Sequence, residues 1–310
     1  MLKYIVKRLL LSLFVLWVVI TITFVLMHAI PGDPFAKDGR QPPGVYNNLV
    51  RYYNLDKPLI VQYGNYLKSL AKLDFGPSLK SSTISVNYYI ENCFPISLHL
   101  GLQALLIAVV FGVILGVIAA LYHNKWPDYL SMVLAVVGIS VPSFIAGTLL
   151  INYVALRSDF IPTAKWGTWR HTILPSISLA MMPMAYIARL MRSSMLEVLN
   201  QEYIKTAKAK GLKKSVIILK HAIRNAILPV ITVLGVIATN LVTGSFIIEN
   251  IFGIPGMGEM FVKGISNRDY PVILGSTVFY SAILIFLTFA IDVAYKFIDP
   301  RIKIAGGNEE

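Results

Sequence analysis

Residues 9–30 read LLLSLFVLWVVITITFVLMHAI, 22 positions without an Asp, Glu, Lys or Arg. At 1.5 Å per residue a helix over this run reaches about 33 Å, enough to cross a hydrocarbon core of roughly 30 Å. Lys3, Lys7 and Arg8 just ahead of it would also suit a secretory signal. Such a signal has an apolar stretch of about 7–15 residues and then a small-residue cleavage site. Here His28-Ala29-Ile30-Pro31 follows, so the run is read as a retained span. Five more apolar runs follow at 96–122, 129–156, 173–188, 226–248 and 272–291. The whole chain agrees: 310 residues, 56% hydrophobic and only 14% charged, where a soluble domain carries about a quarter charged residues. The mean hydropathy is +0.66. Because lipid cannot satisfy backbone N–H and C=O groups, the reading is an all-α polytopic membrane protein with six spans.

The formal charge of +12 comes from 28 Lys and Arg against 16 Asp and Glu. These residues sit between apolar runs and form no stripe on a polar fold, so loops and anionic lipid headgroups account for them and nucleic acid does not. Residues 189–225 hold nine of the basic residues against Glu197 and Glu202, which places that loop in the cytoplasm. An even number of spans then puts both termini inside, in keeping with Lys3, Lys7 and Arg8 at one end and Lys296, Arg301 and Lys303 at the other. Residues 31–95 become external despite seven basic residues; at 65 positions the loop is near the length where the positive-inside rule loses force.

Within that loop, Asp56-Lys57-Pro58 suits a helix start, and Leu59, Tyr63, Tyr66, Leu67 and Leu70 recur at helical spacing. An amphipathic outer helix is expected, covering the spans or receiving an external partner. Asp74-Phe75-Gly76-Pro77-Ser78 then breaks the chain. Bends are expected at Pro142, Pro175 and Pro183, which fall inside apolar runs. Gly112 and Gly116 form G-x-x-x-G on the second span, for close packing within the chain or against another subunit.

Much chemistry is missing. The six runs contain no Asp, Glu, Lys or Arg of the kind that proton-coupled carriers keep within their spans. Asp292, just past the last run, is read as structural, pairing with Lys296 at i+4 or reaching headgroups. His28 and His99 lie near span ends as packed or interfacial residues, and His123, His171 and His221 are scattered without zinc-site spacing. The single cysteine, Cys93, leaves no disulfide framework. There is no G-x-S-x-G elbow, no H-E-x-x-H and no G-x-x-x-x-G-K-[ST] phosphate loop, so catalytic residues and metal ligands are expected to be absent, and any ATP must be bound by another polypeptide. Span five carries Thr239, Asn240, Thr243 and Ser245, neutral polar groups that suit either an aqueous path or interhelical hydrogen bonds; Ser140 and Pro142 on span three complete the candidate path.

In the basic loop, Glu202-Tyr203-Ile204-Lys205-Thr206-Ala207-Lys208-Ala209-Lys210 favours helix, Gly211 ends it in the left-handed region, and Ser215 suits the cap of a second helix running toward Pro229. From the residues alone this is either a solvated basic surface or a lipid-binding face. Thr206-Ala207, Gly211 and Ile227-Leu228-Pro229 resemble the EAA loop of ABC importer permeases. Lys205 stands where the short consensus has Glu, and Gly211 lies further than usual from Leu228-Pro229; both features are similar to the variant of the peptide and nickel branch, in "YIKTAKAKGL" and "HAIRNAILPV". The likeness continues in "YIVKRLL", "HAIPGDPF", "LDKPLIVQY", "DFGPS", "ISVPSFIAG", "ARLMRSSMLEVL", "GSFIIENIFGIPGMG", "NRDYP" and "DPRIK". In their order and spacing they resemble most the B-type permease subunit of oligopeptide importers, then dipeptide and nickel permeases.

That resemblance implies a type I importer permease fold (MetI-like) in the bacterial cytoplasmic membrane: a first span within 1–30, an external insertion at 31–95, a permease core at 96–298 and a cytoplasmic tail at 299–310. It implies a homologous C-type permease subunit, two ATPase subunits that hold ATP and Mg, an extracytoplasmic solute-binding protein and a peptide substrate, with no cofactor on this chain. Coupling to the ATPase is expected at Glu202, Thr206, Ala207, Lys208, Lys210, Gly211 and Leu212, with substrate crossing between the two permeases. Other readings are the same fold importing dipeptides or nickel, an ATPase-independent channel or carrier, and a membrane scaffold.

Overall fold

A computed structural model describes residues 2–29, 51–52, 54, 56–78, 84–242 and 245–298. Among them the chain is helical, with no strand beyond an isolated bridge between Pro77 and Ser85. The helices are α1 (Leu2–Ala29), α2 (Leu59–Ala71), α3 (Val86–Leu121), α4 (Trp126–Ser140), α5 (Ser143–Tyr153), α6 (Trp169–Leu199), α7 (Glu202–Ala209), α8 (Lys214–Ala226), α9 (Leu228–Val242), α10 (Phe246–Ile251), α11 (Met257–Ser266) and α12 (Tyr270–Ile298). Four of them (α1, α3, α6 and α12) are long and apolar enough to cross a membrane, and α4–α5 and α8–α9 make two bent apolar pairs, six crossings if each pair counts once.

The prolines act differently. Pro142 separates α4 from α5 by a bend of 109°. Val141 before it is extended (ψ 116°), as a residue preceding proline prefers. Pro175 and Pro183, in contrast, lie inside an uninterrupted α6. α3 and α6 outrun their apolar stretches by ten residues or more. α3 starts at Val86 rather than near residue 96 and continues through Pro95, because Val86 and Ile90 are buried with Phe75 and Met257. α6 starts at Trp169, where the Thr168 N–H donates to His171 Nδ1 at 3.2 Å, and runs on through Arg189 and Arg192 to Leu199.

The chain divides into two compact units, residues 1–96 with 256–310, and residues 97–255. In the first, Phe24 of α1 and Tyr66 of α2 pack ring against ring with Tyr63, and Tyr63 Oη lies 2.7 Å from Thr21 Oγ1. The ring nitrogens of His28 lie 2.9 Å from the Phe24 carbonyl and 3.1 Å from Gln62 Oε1, a packed histidine. α2 therefore lays its aromatic face on α1. Asp292 bonds Arg8 of α1, because α1 and α12 run side by side, and the Lys296 side chain falls outside the described residues. The DFGPS and NRDYP stretches also meet: buried Ser78 donates to buried Asp269 at 2.5 Å.

In the second unit, α3 buries a stripe of small residues, Ala104, Ala108, Gly112, Gly116 and Ala120. A Cβ at Gly116 would lie 2.6 Å from the Ala188 carbonyl oxygen, and one at Gly112 would lie 2.8 Å from that of Met184. The G-x-x-x-G pair is thus spent on α6 of the same chain. Where lipid removes the hydrophobic drive between helices, this backbone approach supplies the packing.

Candidate functional site

The basic loop folds as an elbow. α7 buries Ile204 and Ala207 and exposes Glu202, Lys205, Thr206 and Lys208, with Lys210 exposed just past its end. Lys205 Nζ reaches Glu202 Oε1 at 2.7 Å, and the Thr206 hydroxyl donates to the Glu202 carbonyl. Two bonds close the helix: Gly211 N–H to Lys208 O at 3.0 Å and Leu212 N–H to Ala207 O at 3.3 Å. With Gly211 at φ +73°, this is a complete Schellman motif, a geometry glycine adopts without Cβ strain. Because the motif uses Leu212, the next helix restarts at Lys214 with Lys213 as its cap residue, and Ser215 lies inside the helix instead of capping it. α8 passes through a π turn at Ile217–Ala222 and meets α9 at a bend of 51°, just before Pro229. Behind the elbow, a cavity of about 580 Å³ lies among Leu121, Leu196, Lys208, Leu212 and Ile217.

A groove of about 410 Å³ lies elsewhere in the same unit, between the α4–α5 break, α6 and α9. Ile139, Leu179, Met182, Pro183, Ile237 and Leu241 make it apolar, and Ser143, Tyr186, Arg189 and Asn240 add polar groups. Ser140 ends α4 and Pro142 precedes α5, both exposed at the break that shapes one wall. Of the span-five candidates only Asn240 lines this groove. Thr239 is buried and donates to the Gly235 carbonyl at 3.0 Å, Ser245 caps α10 through the Ile248 N–H, and Thr243 falls outside the described residues. Met182, Tyr186 and Arg189 were not among the candidates; their i, i+4, i+7 spacing on a continuous helix is the signal that places them on one face.

An adjoining face of α6, one turn on from Arg189, holds a closed charge cluster. Arg192 donates through Nε to Asp128 Oδ1 at 2.6 Å and through a terminal nitrogen to Oδ2 at 2.7 Å; the Asn124 N–H adds a bond at 3.0 Å, and His123 Nδ1 lies 3.3 Å away. The Asp128 side chain is 2% exposed. Glu249, also fully buried, sits on α10 one residue beyond the run read as span five.

Long apolar helices, bent apolar pairs and a basic elbow between them define a multi-pass membrane protein. Residues 112–304 match the family described as "Binding-protein-dependent transport system inner membrane component", and residues 1–97 match "Binding-prot-dependent transport system membrane comp, N-term". The chain belongs to this family of transport permeases. It is 54% identical to a dipeptide transport system permease protein, DppB, of Bacillus subtilis (strain 168), over 98% of this chain and 99% of that one. It is 46% identical to an oligopeptide transport system permease protein, OppB, of Haemophilus influenzae, over 98% and 100%. A crystal structure of an amino acid ABC transporter with histidines aligns at TM-score 0.52 and 17% identity, covering 69% of this chain and 94% of that one, and supports the fold.

Proposed function

We propose that this chain is the membrane-spanning subunit of an ATP-driven peptide importer, forming half of the translocation path with a homologous permease. In this reading both termini and the elbow face the cytoplasm of a bacterial cell. Two ATPase subunits bind ATP and Mg and dock on the exposed face of α7, and an extracytoplasmic binding protein delivers the peptide. What carries the reading is continuity of the backbone. From Thr206 through the Gly211 closure the chain runs along α8, turns by 51°, and becomes α9, whose Asn240 lines the groove. Movement imposed on the elbow is thereby passed to a wall of the path, in the manner of alternating access.

Gly211→Val tests the coupling. A β-branched residue at φ +73° is strained, so the elbow must reshape. Peptide uptake and peptide-dependent ATP hydrolysis should be lost in cells carrying all subunits, with the amount of membrane-inserted chain unchanged; uptake at the wild-type rate would refute the role. Peptide flux through the purified chain alone in liposomes would instead establish an ATPase-independent carrier. An oligopeptide cargo is the reading given by the resemblance. The 54% identity to a dipeptide permease favours the shorter cargo as a second reading. Uptake of a dipeptide against a pentapeptide, each saturating its binding protein, separates the two.

A further inference from the structure

The groove contains one charge, and it has no partner among the described residues. Among the described residues Arg8 bonds Asp292 and Arg192 bonds Asp128, whereas the guanidinium of Arg189 makes no hydrogen bond, ion pair or ring contact. It is not simply a cation beyond the end of a span. Ala188 beside it packs on Gly116, and α3 continues past that point to Leu121. Arg189 is therefore exposed to the groove beside an apolar stretch of α3, about one and a half turns short of that helix's end. A charge in such a place is costly unless it faces a water-filled cavity or an opposite charge, and charges kept there serve function.

Resting on the peptide-importer reading, we infer that Arg189 binds the C-terminal carboxylate of the peptide as it crosses, with Tyr186 and Asn240 offering neutral hydrogen-bonding groups to the peptide's amides. The guanidinium fork matches a carboxylate with two parallel bonds and discriminates by geometry as well as charge. The carboxylate is the one anion that every unmodified peptide carries whatever its sequence. A station for it lets a largely apolar groove pass many side chains while keeping hold of the main chain. A bare divalent cation would meet repulsion at the same point.

The experiment uses the complete transporter with its partner subunits, without binding protein, in nanodiscs of phosphatidylcholine, and measures binding of radiolabelled trialanine and of trialanine amide. The wild type should bind the acid about tenfold tighter than the amide or better, as a charge-assisted pair implies. Arg189→Gln should erase the preference by weakening the acid alone, and Arg189→Lys should keep part of it. The inference is overturned by equal affinity for both peptides in the wild type, including no measurable binding of either, or by an equal loss of both in Arg189→Gln, which would mark a packing role. It is also overturned if Arg189→Gln changes binding only in nanodiscs containing phosphatidylglycerol, which would assign the guanidinium to a lipid headgroup. Trialanine uptake by wild-type cells separates the levels: no uptake of any peptide removes the importer reading itself, and uptake without an acid preference removes only Arg189's part.

Discussion

Helix α6 has two adjoining faces that treat the same kind of residue in opposite ways. On one, Arg192 is locked to a buried Asp128 and the helix backbone presses against Gly116; on the other, Met182, Tyr186 and Arg189 line an open groove. The two arginines are three residues apart, so the local sequence around them hardly differs. What differs is the neighbour: α3 and the start of α4 close one face, and the α4–α5 break leaves the other open. One face holds the fold, and the other is free to hold something else.

This contrast can be broken most severely at Asp128. Arg192→Ala leaves a carboxylate that is 2% exposed without its cation, which costs about 3–5 kcal/mol for a buried pair losing one member. The purified transporter should lose that much in denaturant unfolding, and Asp128→Asn combined with Arg192→Gln should recover most of it. Arg189→Gln should change the same measurement by less than about 0.5 kcal/mol, as expected for a side chain with no partner to lose. A comparable loss there would erase the distinction between the faces. Next in size is Gly116→Val, which drives a side chain into the Ala188 carbonyl and should cost about 1–3 kcal/mol or more from overpacking, read as a lower melting temperature. At the small end, Glu202→Gln removes an exposed pair to Lys205 on the elbow, and its unfolding free energy should shift by no more than about 0.5 kcal/mol.

The sequence made much of this legible. The apolar runs are visible because a spanning helix needs about twenty uncharged residues, and Gly211 is visible because a helix that ends at glycine signals the left-handed turn found there. The 109° break at Pro142 is likewise announced by its residue. Lengths were less legible. α3 reaches back to Val86 because of contacts with Phe75 and Met257, which are distant in sequence, and α6 keeps its charged end because Asp128 receives Arg192. The groove was half visible. Polar residues on span five drew attention to Asn240, but Thr239 next to it turns its hydroxyl back to Gly235, a choice that only the helix register makes. Sequence alone groups Arg189 with the loop's basic residues, since nothing in its immediate neighbours shows that the helix carrying it continues for further turns beside α3.

One more consequence lies in how the chain is divided. Residues 97–255 form a single contiguous unit, while the other is sewn from the two flanking stretches, with Ser78 fastened to Asp269 and Arg8 to Asp292. During synthesis α1 therefore enters the bilayer long before α12 exists, and Arg8 has to wait at the surface for its acid. The uncharged run that opens this chain is what makes the wait tolerable: it is a helix able to sit alone in lipid until its late neighbour arrives.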